Sequence, residues 1–395
     1  MNIFDITALV LAILVSIPFL ILATECLLAV VSLQRSATIK PRSKCAILIP
    51  AHNEEVMIKQ TLERLQTQVQ STDRIVVIAD NCMDETAQIA RTVGVEVIER
   101  THATDRGKGF ALAHGMAYLQ HNPPEVVVIV DADCELSDSC LDVLINQVDR
   151  TNRPAQGVYL IGTGQETEPK QRISAFAVLL KNLIRPLGLY KLGGPCLLTG
   201  TGMAFPWKEL SKVELGTCNL VEDMKLGVDL TIIGIPPQLC PAARLQGAAA
   251  PTQQAATQQR TRWEHGHLQT MLTQVPRLWL NAITHLRWSS LLLASELLIP
   301  PLSLLAVCWV GAMVVILTTK LLTGGSWLPT VLLCSGLLLT LFAGMLAWIR
   351  YGRTMLPLSV MMQIPLYILW KLPIYAKFLF HRQKSWTRTE RIVEK

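Results

Sequence analysis

The chain has 395 residues, half of them apolar, with a formal net charge of +6 and a positive mean hydropathy. These values exclude an ordinary soluble protein and leave room for one α/β domain with several membrane helices. The basic end at residues 381–395 has no interleaved aromatic stripe, so no nucleic-acid partner is expected, and attraction to membrane lipids accounts for the charge.

Residues 6–33 form the first apolar run, longer than a signal-peptide core and preceded by MNIFD, which has no Lys or Arg. It reads as a transmembrane anchor. Arg35, Lys40, Arg42 and Lys44 follow it, so the positive-inside rule places the N-terminus outside and the next domain in the cytoplasm. Glu25 is then expected at the cytosolic interface, which spares it burial in lipid.

From Lys44 to Asp133 short apolar strands alternate with amphipathic helices: CAILIP, a helix over 54–68, RIVVIAD, a helix over 85–92, VEVIER, a helix over 108–120, and EVVVIVDAD. That alternation predicts βαβ units and a parallel sheet, whose binding chemistry gathers at the carboxyl ends of the strands. His52, Asn53, Glu54, Asp80, Asn81, Asp131 and Asp133 fall there. Neither phosphate loop of common nucleotide-binding domains is present: GKGFALAHG lacks the Walker spacing, and GTGMAF lacks the third glycine of the dinucleotide fingerprint.

VVVIVDADCEL runs a strand into two carboxylates one residue apart, Asp131 and Asp133, a spacing that suits a hard divalent cation. A solvated acidic turn would look the same in isolation. Asp80 is placed for a base or ribose hydrogen bond, or for a capping turn. Lys108, flanked by Gly107 and Gly109, can meet a diphosphate or simply face solvent. Glu222 and Asp223 stand at a helix start, where a carboxylate can act as general base or only complement the helix dipole. In TQQRTRWEHGHLQ, Gln259, Arg262 and Trp263 lie on an amphipathic helix suited to a phosphate near a membrane. His265 and His267 lack the further ligands of a metal site.

The ten cysteines show no CxxC spacing and read as small apolar residues in a reducing compartment. Residues 289–319 and 327–349 predict a transmembrane hairpin. A third run over 355–380, with three prolines and two lysines, reads as re-entrant or interfacial, since a full crossing would send the basic tail outside.

The ordered set Asp80, Asp131-Ala132-Asp133, Glu222-Asp223 and Gln259-Arg260-Thr261-Arg262-Trp263 resembles that of processive-type family-2 glycosyltransferases, which include cellulose, chitin and hyaluronan synthases and ceramide glucosyltransferase. The resemblance covers residues 44–267. It implies an α/β GT-A, Rossmann-like nucleotide-sugar-binding domain flanked by transmembrane helices, a UDP-sugar donor, Mg2+ or Mn2+ as cofactor, and inversion at the anomeric carbon. It further implies metal and diphosphate binding at Asp131 and Asp133, uridine contact at Asp80, the general base at Asp223, and donor contacts at Lys108, Gln259, Arg262 and Trp263. The first motif has one Asp where relatives have two, and Val221 stands where many have Thr, which weakens transfer of sugar specificity.

The expected organisation is an anchor over 1–33, a cytoplasmic GT-A domain over 34–258, an interfacial helix over 259–288, membrane or interfacial helices over 289–380 and a basic cytoplasmic tail over 381–395. The resemblance leaves a polysaccharide or a membrane lipid as acceptor, and a polymerase of this size would need secretion subunits or a homo-oligomer. A nucleotide-sugar-binding membrane protein without turnover is the reading from a different class.

Overall fold

The structure is a computed structural model that describes residues 3–31, 41–162, 168–217, 219, 221–247 and 252–380. Arg35, Lys40 and the basic tail lie outside the described residues.

The first apolar run forms α1 (Ile3–Val30). Strands β1 (Cys45–Ala51), β2 (Arg74–Asp80), β3 (Glu96–Arg100) and β4 (Val126–Ile129) follow, separated by α2 (Ile58–Gln66), α3 (Thr86–Thr92) and α4 (Lys108–Leu119). They are parallel, in the order β3-β2-β1-β4, as the alternating pattern predicts. Their Val and Ile runs have no polar side because helices cover both faces. Ile47, Ile49, Val77 and Val128 pack with Leu62 and Leu144, while Leu48, Val76, Ile78 and Ile129 pack with Leu112 and Leu119 of α4.

The rest of the sheet changes direction. After β5 (Cys134–Leu136), α5 (Cys140–Thr151) and β6 (Ala155–Ile161), a long helix runs through α6 (Pro169–Leu179), a π turn (Leu180–Ile184) and α7 (Arg185–Lys191). Then come β7 (Met203–Pro206), α8 (Trp207–Leu210), α9 (Glu222–Ile232) and β8 (Gln238–Gly247). β7 is antiparallel to β4 and β6, and β5 is antiparallel to β8, giving an eight-stranded mixed sheet ordered β3-β2-β1-β4-β7-β6-β8-β5.

The C-terminal part is helical: α10 (Gln253–His285), α11 (Trp288–Leu298), α12 (Leu302–Thr323), α13 (Leu328–Ala347), α14 (Leu358–Met361) and α15 (Ile364–Phe380). Among the described residues four helices are long and apolar enough to cross a membrane: Ile3–Val30, Pro169–Lys191, Leu302–Thr323 and Leu328–Gly352. Three details differ from the sequence reading. Pro300 and Pro301 break the 289–319 run between α11 and α12, because proline removes helix donors and restricts its neighbour. The helix over Pro169–Lys191, which the sequence reading left inside the soluble domain, is mostly buried, with Leu180, Leu183 and Leu187 packed on Val158 and Leu239 of the sheet. The expected boundary at 258/259 falls inside α10, which starts at Gln253 behind its cap Thr252.

Glu25 is 2% exposed and paired at 2.9 Å with Arg185 of α7, which reaches Glu296 of α11 at 2.9 Å as well. A buried charge is tolerated because a guanidinium shared by two carboxylates replaces lost hydration. The three residues tie α1, α7 and α11 together.

A second buried pair joins α10 to α15. Lys371 donates to Glu264, both 9% exposed or less. Beside it, Arg260 donates to Ser174 Oγ at 3.0 Å and lies over the rings of Tyr367 and Trp370. Removing one partner of such a pair strands the other charge, at a cost of roughly 3–5 kcal/mol. Glu264→Gln and Lys371→Met should each lower the unfolding temperature, and the exchange Glu264→Lys with Lys371→Glu should recover part of the loss. Unchanged melting of both single variants would show that the pair contributes nothing.

Candidate active site

The strand ends converge on a cavity of about 430 Å³. All eight residues singled out from the sequence, Asp80, Lys108, Asp131, Asp133, Asp223, Gln259, Arg262 and Trp263, line it. They come from β2, the start of α4, the loop after β4, the start of α9 and the first turns of α10.

The strand that leads into Asp131 and Asp133 ends at Ile129, so both carboxylates stand on the loop between β4 and β5. Thr201 Oγ1 accepts the Asp131 N–H at 3.0 Å and fixes that loop. Asp80 does not cap a helix; the capping role falls to Asp84, whose Oδ1 accepts the Thr86 N–H at 3.1 Å.

Lys108 leaves the N-terminal turn of α4 and donates to Asp131, and at 2.6 Å to the Gly200 carbonyl. Burial would favour release of its proton, but Asp131, Glu222 and Asp223 outweigh it and hold the ammonium above the ordinary lysine value. Burial raises the Asp131 carboxyl, with Lys108 opposing and Asp133 adding to the rise. Burial likewise raises Asp223 against Lys108, and it pushes Glu222 to about 7, where the neighbouring Asp223 charge adds to the effect. Asp223 Oδ1 accepts its own helix's Met224 N–H at 2.8 Å.

Gly200 has φ +89°, and a Cβ there would stand 3.2 Å from Asp223 Oδ2 and 3.5 Å from Lys108 Nζ. A side chain would therefore enter the space between the Asp223 carboxylate and the Lys108 ammonium in a backbone region that favours glycine. The loop is held by Gln156 of β6, 2% exposed, whose Oε1 accepts the Thr199 N–H at 2.9 Å and whose Nε2 donates to the Thr201 carbonyl at 2.9 Å.

The donor set fits a hard divalent cation. Ligand atoms of Asp131, Asp133 and Cys134 lie within 4.8 Å of one another. Burial, reinforced by the two carboxylates, pushes the Cys134 thiol well above its ordinary value, and a hard cation prefers the carboxylate oxygens to sulfur in any case. The two histidines of WEHGH are engaged elsewhere, His265 Nε2 with the Ile374 carbonyl at 2.9 Å and His267 Nε2 with the Ile299 carbonyl at 3.0 Å. The nine described cysteines are all free, six of them buried.

Sequence reasoning missed Arg106, Tyr159 and Thr199, which also line the cavity, and Gln156 behind it. Tyr159 and Gln156 sit in AQGVYLI, which carries only the signal of a buried strand. Arg106 had a signal, its place beside the Gly107-Lys108-Gly109 turn.

Residues 46–206 match the model of the family described as glycosyl transferase family 2. The probable glycosyltransferase YdaM of Bacillus subtilis is 26% identical over 246 residues, 59% of this chain and 57% of that one. The 4,4'-diaponeurosporenoate glycosyltransferase of Staphylococcus aureus is 35% identical over 103 residues, 26% of this chain and 27% of that one. The chain thus spans between 27% and 57% of the length of these two curated relatives. Among solved structures, the mannosyltransferase PcManGT from Pyrobaculum calidifontis, in complex with GDP-Man and Mn2+, superposes with a TM-score of 0.58 at 16% identity, over 96% of this chain and 100% of that one. That likeness establishes the fold: a GT-A domain with apolar helices before and after it.

Proposed function

We propose that this chain is a membrane-bound, inverting family-2 glycosyltransferase that moves a sugar from a nucleotide sugar to a hydroxyl of a polysaccharide or a membrane lipid. The observation that carries the reading is the meeting of Asp131, Asp133, Lys108, Asp223 and Arg262 in one cavity, although they come from four separate segments of the chain. A nucleotide diphosphate needs positive charge at its leaving end, and a hydroxyl nucleophile needs a base on the opposite face of the sugar. In this reading residues 34–258 work in the cytoplasm, α1, α12 and α13 cross the plasma or inner membrane, and α10 lies at its surface. The resemblance to processive members favours a UDP-sugar, whereas the Pyrobaculum enzyme binds GDP-Man, so likeness alone leaves the base open.

Asp131 and Asp133 would hold Mg2+ or Mn2+, which supplies Lewis-acid neutralisation of the diphosphate when bound. Lys108 exchanges its contact with Asp131 for the diphosphate, and Arg262 and Gln259 close on it from α10. Trp263 borders the sugar and the acceptor. Asp223 takes the acceptor proton as the oxygen attacks the anomeric carbon, and the Gln156-held loop at 199–202 keeps that face open.

The test is transfer from radiolabelled nucleotide sugars by purified protein in its native lipid extract, with Mn2+, Mg2+ or chelator. Metal-dependent label in a lipid or a polymer is the expected result, and a ladder of chain lengths separates polymer from single-sugar lipid. Nucleotide binding without transfer to any acceptor or to water would favour a non-catalytic binding protein.

A further inference from the structure

Resting on the nucleotide-sugar reading, we propose that Arg100 sets the nucleobase preference of the cavity. It fills one oxygen of Asp80, so that the carboxylate accepts from a base with a single N–H on its pairing edge, as in uracil, and not from guanine. The register of β2 and β3 places Asp80 opposite Arg100. Arg100 Nη1 donates to Asp80 Oδ1 at 2.7 Å, and Asn81 Nδ2 donates to the same oxygen at 3.1 Å. Two donors use both lone pairs of that oxygen. Asp80 Oδ2 makes no hydrogen bond among the described residues, and Asp80 lines the cavity.

The blocking contact is held from several sides. The Arg100 guanidinium lies 5.7 Å from the centre of the Phe110 ring, and its backbone carbonyl accepts the Asn81 N–H at 2.7 Å. Asn81 is itself fixed at φ +52°, with its Oδ1 accepting the His102 N–H at 2.9 Å. The Asp80 and Arg100 side chains are 8% and 12% exposed, so the pair does not rearrange freely in solvent.

The three bases present different edges to one open oxygen. Uracil offers N3–H alone, between two carbonyls, and satisfies it. Guanine offers N1–H and the 2-amino group side by side, a pattern that uses both oxygens of a carboxylate. With Oδ1 filled, one guanine donor stays unpaired in a desolvated site, a loss of about tenfold or more in affinity. Cytosine has no hydrogen on N3 and sets a lone pair against the carboxylate.

The experiment is calorimetric titration of the full chain, in micelles with Mn2+, with UDP, GDP and CDP. UDP should bind about tenfold tighter than either of the others or better. Arg100→Met frees one lone pair of Oδ1, leaving only the Asn81 donor there, and should bring GDP to within about threefold of UDP, while Arg100→Lys, which keeps a second donor on Oδ1, should preserve the preference. GDP or CDP binding as tightly as UDP to the unaltered protein overturns the proposal, as does an unchanged ratio in a folded Arg100→Met. These results leave the glycosyltransferase reading standing. Failure of every nucleoside diphosphate to bind removes that reading and this one together.

Discussion

Asp223→Asn should lower kcat by about 100-fold to 10,000-fold while leaving nucleotide affinity nearly unchanged. The amide keeps the size of the side chain and can still accept the Met224 N–H now bonded at 2.8 Å, so the start of α9 has no reason to move. What disappears is the basic lone pair. Because the active base is the deprotonated form and burial raises Asp223, the rate should be lost on the acid side at a higher pH than an ordinary aspartate would give. Single-turnover transfer at saturating donor isolates the step. Near-normal kcat in Asp223→Asn would move the base to Glu222, whose carboxyl is pushed up to about 7 by desolvation and by the Asp223 charge, and Glu222→Gln would then carry the loss.

The parallel half of the sheet was legible because each of its signals is local. A run such as RIVVIAD announces a strand with both faces covered, and the polar residue that ends it must stand at the sheet's carboxyl edge, where Asp80 is found. The same logic placed Asp131 and Asp133 at that edge, whereas Lys108 and Asp223 were marked only by their local motifs and by the family resemblance. The antiparallel half was not legible. β7 is a four-residue strand whose position between β4 and β6 is set by register with partners dozens of residues away, and nothing in MAFP states its direction. Gln156 and Arg100 share this difficulty. Each acts through a neighbour brought by strand pairing, so an ordinary strand residue becomes a determinant of the site only once the register is fixed. The pairing of Glu25 was not legible for a related reason: only Arg185, 160 positions later, makes its burial stable.

Asp133→Asn should remove most of the metal dependence of nucleotide binding and lower turnover by about 100-fold to 1,000-fold, the scale of losing several kcal/mol of charge stabilisation at the diphosphate. The argument turns on which oxygens are available. Lys108 already engages Asp131, so with Asp133 neutralised a cation must compete with a partly buried ammonium for the remaining carboxylate. Mn2+ binding followed by electron paramagnetic resonance reads this directly, without turnover. Cys134 gives the discriminating control, since its sulfur lies within 4.8 Å of both carboxylate ligand atoms but is a soft donor that a hard cation passes over for oxygen. Cys134→Ser should therefore leave Mn2+ affinity unchanged. If it weakened binding as much as Asp133→Asn, sulfur would be a ligand, the site would select a softer metal, and the assignment of a hard cation bound by oxygen would fail.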